Sequence, residues 1–427
     1  MRTRYSLLAV ALLVSQLVQA KSVIIPLDQI NAMVDSTTPA SDNAQFVAFS
    51  ATIQQALINA LKGDASTLTR AQLAEAKQSK PLVDKKWLQD SGYDFDKKSL
   101  QQADIKLLDA FPALPKTTIA ASLKTVEEVN LNASQGQRTQ ALIDAEGQNY
   151  LFFLADALGP KLGQAFLNAY NKGEIGKAAA LIKASEVGTG AAKKAFNNPR
   201  PFLIPGNTIH LVPDTAVVKD NMPYQATQGS YPSGHTNTAY TDAVLLGEML
   251  PERFVPLLDR AARYSYSRMV LGVHYPIDLI GSRMAAQRNV AHYLNDPQYR
   301  VLFIDARQQL RTALEKECGT SLAVCAKPQG AADPYTAPQI ITFYNLSMSW
   351  NLPREKVLPA PLVVPEGAEV LLEGPLPNLS AAQRRHLMVS TALEAGYPLS
   401  GSTPEQNFWQ RLNLSAAASS GQHIYGG

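Results

Sequence analysis

The sequence predicts an all-α protein, a helical bundle joined by long loops, and three observations carry that expectation. Apolar residues recur at three- and four-residue spacing in one segment after another. No alternation of strand and helix signals, and no internal repeat, interrupts the pattern. The composition, 46% apolar and 18% charged over 427 residues, is that of a globular chain with ample core. It excludes collagen, coiled coil, disulfide-rich miniprotein and disordered tail, and leaves room for one large domain or two to three ordinary ones. The 39 Lys and Arg against 36 Asp and Glu are spread along the chain, so no nucleic-acid surface is expected.

Arg2 and Arg4 precede an unbroken apolar run from Leu7 to Val14, and Val18-Gln19-Ala20 closes the segment with small residues at the last and third-last positions. This pattern predicts a signal peptide over residues 1–20, cleaved after Ala20, and hence a periplasmic or secreted protein. Eight apolar residues fall far short of the roughly 20 that a spanning helix needs, and no later segment does better, so no membrane-spanning helix is expected.

Phe46, Phe49, Ile53, Leu57 and Leu61 predict a helix over Gln45 to Lys62. A polar, Lys-rich stretch follows to about Gln102 and resists assignment. Helical patterning returns at Ala141 to Leu158, Leu162 to Tyr170 and Ile175 to Lys183. Six prolines between 199 and 232 make Asn197 to Tyr231 mostly loop. Helices are expected again at Thr236 to Leu250, Phe254 to Tyr266 and, opening on Pro276, to about Leu294. Beyond Pro328 the chain turns Pro-rich. The expected organisation is therefore a signal peptide (1–20), a helical domain (21–330) and a C-terminal extension of little regular structure (331–427), with a short strand or two as its most ordered content.

Cys318 and Cys325 are the only cysteines. In an exported chain they should form a disulfide closing a six-residue loop, worth about 2 kcal/mol because little chain entropy is removed. A metal site would need further Cys or His beside them, and the sequence offers none.

Three clusters carry chemistry: Lys193 with Arg200-Pro201, Gly229-Ser230-Tyr231-Pro232-Ser233-Gly234-His235, and Ser267-Arg268 with His274 and Asp278. Two guanidinium groups, Arg200 and Arg268, can each donate paired hydrogen bonds to phosphate oxygens, and Lys193 adds a compact charge. Ser233 and Gly234 lead into a helix whose N-terminus favours the same anion. His274 reads as a nucleophile oriented by Asp278, and His235 as the acid that protonates the leaving alcohol and later deprotonates water. A neutral nucleophile among cations and a protonated acid together predict an acidic optimum. Tyr231 lies beside this cradle, either lining the leaving-group pocket or packing in the core. His210, His292, His386 and His423 have no such company and read as structural.

These clusters fit the K-x6-RP, PSGH, SR-x5-H-x3-D signature, and on it the chain resembles the PAP2 (phosphatidic acid phosphatase type 2) and class A bacterial acid phosphatase superfamily, to which the vanadium haloperoxidases are related. The string Gly-Ser-Tyr-Pro-Ser-Gly-His resembles the secreted acid phosphatases in particular. The resemblance covers about 86 residues and implies an all-helical fold, a phosphohistidine intermediate and no metal or other cofactor. It implies phosphate binding by Lys193, Arg200, Ser233, Gly234 and Arg268, and catalysis by His274, His235 and Asp278. The implied partner is a small phosphorylated substrate, by preference a monoester. Alternatives remain: a vanadium-dependent haloperoxidase, for which vanadate is cofactor rather than inhibitor, a lipid-phosphate or diphosphate phosphatase, or a non-catalytic phosphate-binding module. Whether the chain forms a homo-oligomer stays open.

Overall fold

The computed structural model describes residues 24–62, 82–213, 228–355 and 361–425. The expected signal peptide, 1–20, lies outside the described residues. So do 63–81, within the polar stretch, and 214–227, within the expected loop.

The described residues are all-α, with no β-strand among them. In chain order the helices are α1 (Leu27–Asp35), α2 (Ala44–Lys62), α3 (Lys85–Asp90), α4 (Lys97–Leu107), α5 (Lys116–Asn132), α6 (Gln135–Glu146), α7 (Pro160–Asn171), α8 (Gly176–Ser185) and α9 (Gly190–Phe196). They continue with α10 (Gly234–Met249), α11 (Phe254–Val270), α12 (Pro276–Asn295), α13 (Pro297–Cys318), α14 (Leu322–Cys325), α15 (Pro338–Ser347), α16 (Ala381–Ser390), α17 (Pro404–Arg411) and α18 (Leu414–Tyr425). No described helix is long and apolar enough to cross a membrane.

Helices α10, α11 and α12 form the centre, α10 packing on both of the others. All three are buried almost all round. Their sequences allow this because small residues let neighbours approach. At Gly247 an added Cβ would stand 2.8 Å from the Phe254 ring, and at Gly281 2.9 Å from the Tyr231 ring. The N-terminal helix α6 packs against α11, α8 against α10, and α7 and α8 against α13. The period of α7 is visible in sequence because Leu162, Phe166 and Tyr170 bury one face while Lys161, Gln164 and Asn168 face outward.

Ala141 to Leu158 is not the single helix its spacing predicts. The helix α6 ends at Glu146, and short 3-10 turns follow at Gly147–Asn149 and Phe152–Leu158. The second turn is entirely buried, so burial on every side, and not one helical face, produces the apolar spacing.

Residues 331–427 also differ from expectation, for they contain α15 to α18 and no strand among the described residues. Their prolines start helices instead of preventing them: Pro338 and Pro404 stand in the first turn of α15 and α17, where a missing N–H costs nothing. This segment shares the core of the preceding domain, since one apolar cluster runs from Ile25 to Ala418. The bidentate ion pair of Arg253 with Asp333 (2.8 and 2.7 Å), buried on both sides, fastens its start. Farther on, Arg283 of α12 donates to the carbonyls of Trp409, Gln410 and Leu412 at the end of α17 (3.3, 2.8 and 3.2 Å). Cys318 and Cys325 form the expected disulfide.

Candidate active site

The three sequence clusters converge at the ends of α9, α10, α11 and α12. Lys193 occupies the last turn of α9, which Asn197 terminates in a left-handed conformation (φ 46°). The extended segment before α10 lies directly against that turn. The Ser230 N–H donates to the Asn198 carbonyl (2.8 Å), and an added Cβ at Gly229 would come within 3.0 Å of the Lys193 carbonyl. A larger residue would have to push this backbone apart by a few tenths of an ångström. Ser233 then caps α10, its hydroxyl accepting from the Thr236 N–H (3.2 Å). A Cβ at Gly234 would stand 3.2 Å from the Thr189 hydroxyl and 3.9 Å from Lys193 Nζ, so the lysine ammonium reaches the N-terminus of α10.

His274 is delivered by the turn that ends α11. Gly272 there has φ +70°, and an added Cβ would meet Ile209 at 2.3 Å. Asn130 clamps the turn from outside, donating to the carbonyls of Val270 and His210 (both 2.8 Å) and accepting from the His210 N–H (2.7 Å). Asp278, in the first turn of α12, accepts through Oδ2 from the Tyr275 N–H (2.8 Å) and faces His274 Nδ1 at 3.0 Å. Ser230 donates to its other oxygen at 3.4 Å.

The tautomer of His274 follows from its neighbours. A carboxylate can only accept, so Nδ1 carries the proton. Arg200 can only donate, and its Nη1 stands 3.2 Å from His274 Nε2 while also donating to the Val273 carbonyl (2.9 Å). Nε2 therefore presents a lone pair to the guanidinium. Burial, followed by the charges of Arg200, Lys193, Arg268 and His235, holds His274 well below the usual imidazole range. Burial pushes the Asp278 carboxyl up, to about 7, while the Tyr275 N–H, Arg200, Lys193 and Ser230 pull it down.

The cations respond to the same crowding. Burial, with Arg200 and Arg268 nearby, lowers Lys193 to about 8, and burial with Arg268 lowers Arg200 to about 10. Three positive charges thus share one recess with a single carboxylate that faces the histidine. Such a recess favours an anion able to accept many donors. Beside it opens a cavity of about 440 Å³, lined among others by Thr189, Lys193, Lys194, Asn197 and Gln228.

His235, in the first turn of α10, places Nε2 2.9 Å from the Ala145 carbonyl. Its ring lies 25° from that of Tyr264, with centroids 6.3 Å apart. The sequence did not reveal these partners, nor the reason for Ser267, whose hydroxyl donates to Asp144 (2.7 Å). A backbone carbonyl leaves no signature in sequence, and Asp144 lies far upstream of the cluster it serves. Tyr231 belongs to the core: it is fully buried, stacks on Phe111 at 4.1 Å and donates to the Leu108 carbonyl. His210, His292, His386 and His423 are exposed. No set of three potential metal-ligating side chains stands together among the described residues.

Fold and site together define a helical protein with a buried histidine–aspartate pair inside a cationic recess, and comparison with known proteins agrees. Residues 175–300, which contain all three clusters, match the PAP2 superfamily model. Over 124 residues, 29% of this chain and 44% of the relative, the chain is 31% identical to an acid phosphatase of Zymomonas mobilis. It is 30% identical over 117 residues to a non-specific acid phosphatase of Providencia stuartii (27% of this chain, 44% of the relative). A non-specific acid phosphatase of Salmonella typhimurium is 29% identical over 122 residues (29% and 46%). The chain spans less than half the length of these relatives.

Proposed function

We propose that this protein is an exported acid phosphatase that hydrolyses small phosphate monoesters through a phosphohistidine intermediate, without a metal. The observation that carries the reading is the orientation of His274: Nδ1–H donates to Asp278 and the Nε2 lone pair faces Arg200 in a recess of three cations. The names of the relatives support the same reaction class.

In the first step Nε2 of His274 attacks phosphorus as the bond to the leaving oxygen breaks, and His235 passes its proton to that oxygen. Positive charge develops on the His274 ring, and Asp278 stabilises it. Lys193, Arg200 and Arg268, with the Ser233 hydroxyl and the Gly234 N–H, hold the three non-reacting oxygens through the change in geometry. In the second step water attacks phosphorus, the P–Nε2 bond breaks, and His235 takes the water proton. Inorganic phosphate leaves and both histidines return to their starting states. Export rests on residues 1–20, whose pattern is that of a cleaved leader.

Phosphate release from p-nitrophenyl phosphate and a panel of nucleotide and sugar monophosphates tests the reading. The expected result is turnover under acidic conditions that His274→Ala abolishes, with acid-labile phosphate trapped on the wild-type protein alone. Absence of release from every member, or full turnover by His274→Ala, would overturn it.

A further inference from the structure

Helix α6 ends at Glu146; the Gly147 N–H closes on the Ile143 carbonyl, and the carbonyls that follow in the last turn lie beyond that bond. Two side chains from the central helices satisfy consecutive members of that set. The Tyr264 hydroxyl of α11 donates to the Asp144 carbonyl (2.6 Å), and His235 Nε2 of α10 stands 2.9 Å from the Ala145 carbonyl. A carbonyl cannot donate, so Nε2 of His235 carries hydrogen whether the ring is neutral or cationic. The negative end of a helix also favours a positively charged ring beside it.

The Asp144 side chain fixes the turn. Its Oδ1 accepts from Arg260 (2.6 Å) and Gln140 (2.9 Å), and its Oδ2 from Ser267 (2.7 Å). With its oxygens so engaged inside the core, Asp144 is an anchor and not a proton carrier. The Arg260 guanidinium lies 5.7 Å from the Tyr264 ring centroid, which fixes that ring in turn. Burial, with Asp144 next, keeps the Tyr264 hydroxyl protonated and therefore donating.

From this arrangement we propose that Tyr264 is a positioning residue for proton transfer: with the Asp144 anchor it holds the end of α6 so that the Ala145 carbonyl retains Nε2–H of His235, and Nδ1 delivers the proton to the leaving oxygen. The inference rests on the reading of His235 as the acid given above. Phosphorus–oxygen cleavage, formation of the bond to His274 Nε2 and transfer of the Nδ1 proton remain the balanced first step, and Tyr264 acts on the last of these alone.

The test compares kcat/KM for p-nitrophenyl phosphate, whose leaving group needs little protonation, with that for an alkyl phosphate, whose leaving group needs it fully. Tyr264→Phe removes only the hydroxyl. The expected loss is about tenfold or more for the alkyl ester and much smaller for the nitrophenyl ester, with His235→Ala showing the same bias more strongly. Equal losses on both esters, or none on either, would overturn the role of Tyr264. Because Tyr264→Phe could fold poorly, a second measurement uses wild-type protein: ring nitrogen NMR of His235 should show protonated Nε2 in the neutral state. A neutral ring protonated at Nδ1 would sink the proposal independently of any activity. If wild-type protein releases no phosphate, the function above fails while the NMR result still decides the geometry.

Discussion

Nη1 of Arg200 stands 3.2 Å from Nε2 of His274 and 2.9 Å from the carbonyl of Val273, the residue just before it. One guanidinium therefore contacts both the backbone that carries the histidine and the ring nitrogen proposed as the nucleophile. Its remaining donors include Nε, which bonds the Gln228 carbonyl (3.2 Å). Lysine can supply the charge but not this planar fork. Arg200→Lys should lower kcat/KM for p-nitrophenyl phosphate by about 10²-fold, with melting temperature changed little. An effect below threefold would show that charge alone suffices.

Asp278 offers a separable test. Replacing it by Asn removes the acceptor charge that fixes the His274 tautomer and stabilises the ring as it becomes positive, while leaving the three cations in place. Turnover should fall by about 10³-fold or more in Asp278→Asn, with affinity for inorganic phosphate changed only a few-fold. Matching losses in binding and turnover would assign Asp278 to anion binding instead.

The pH dependence of binding has a definite sign. Lys193, lowered to about 8, is charged below that pH and neutral above it in the free protein. Inorganic phosphate is already a dianion there, so its inhibition constant should rise as pH goes from about 8 to 9.5 and Lys193 deprotonates. Lys193→Met should bind phosphate weakly at pH 7 and lose the rise in this range. An unchanged rise in that variant would place the titrating group elsewhere.

Toward low pH the expected limit is different. Because burial and the surrounding cations hold His274 well below the ordinary imidazole range, the nucleophile stays neutral in mild acid, and the acid role proposed for His235 requires that ring to begin each turnover protonated. A kcat/KM profile should therefore fall as pH rises above neutrality and the acid loses its proton, and fall again in acid as the Asp278 carboxylate, raised to about 7, takes up a proton. A profile rising toward alkaline pH would contradict these two assignments.

The buried pair of Arg253 and Asp333 predicts a stability effect remote from catalysis. Asp333→Ala leaves a guanidinium buried without its carboxylate and should cost about 3–5 kcal/mol, read as a shift in denaturant midpoint. A shift below 1 kcal/mol would mean that water replaces the lost partner.

The central helices and the three motif clusters that converge on the recess were legible in sequence for one physical reason: both are written in side chains with local spacing. Ser233 as a cap, Pro276 at the start of α12 and the four-residue step from His274 to Asp278 are short-range facts. The break after Glu146 was not legible, because a wholly buried turn such as Phe152–Leu158 places apolar residues on every side and mimics a helix. The packing of residues 331–427 was hidden as well, since Pro338 and Pro404 open helices where a Pro-rich texture suggested little regular structure. The support of His235 was invisible for a third reason: Ala145 contributes a carbonyl and Tyr264 a hydroxyl that bonds Asp144, and neither role belongs to a residue type.

Arg283 lies five positions beyond Asp278 on α12 and grips three carbonyls at the end of α17. A helix that carries Asp278, the partner of His274, at one end is thus tethered, little more than a turn later, to a segment more than a hundred residues downstream. The motif-bearing region therefore draws hydrogen-bond acceptors from well outside itself. Cutting the chain after residue 330 would strip carbonyl partners from Arg283 and the carboxylate from Arg253, leaving two buried cations short of their partners. The length of this chain is in that sense part of its stability, because residues beyond 330 supply the carboxylate and the carbonyls that the buried guanidinium groups of Arg253 and Arg283 require.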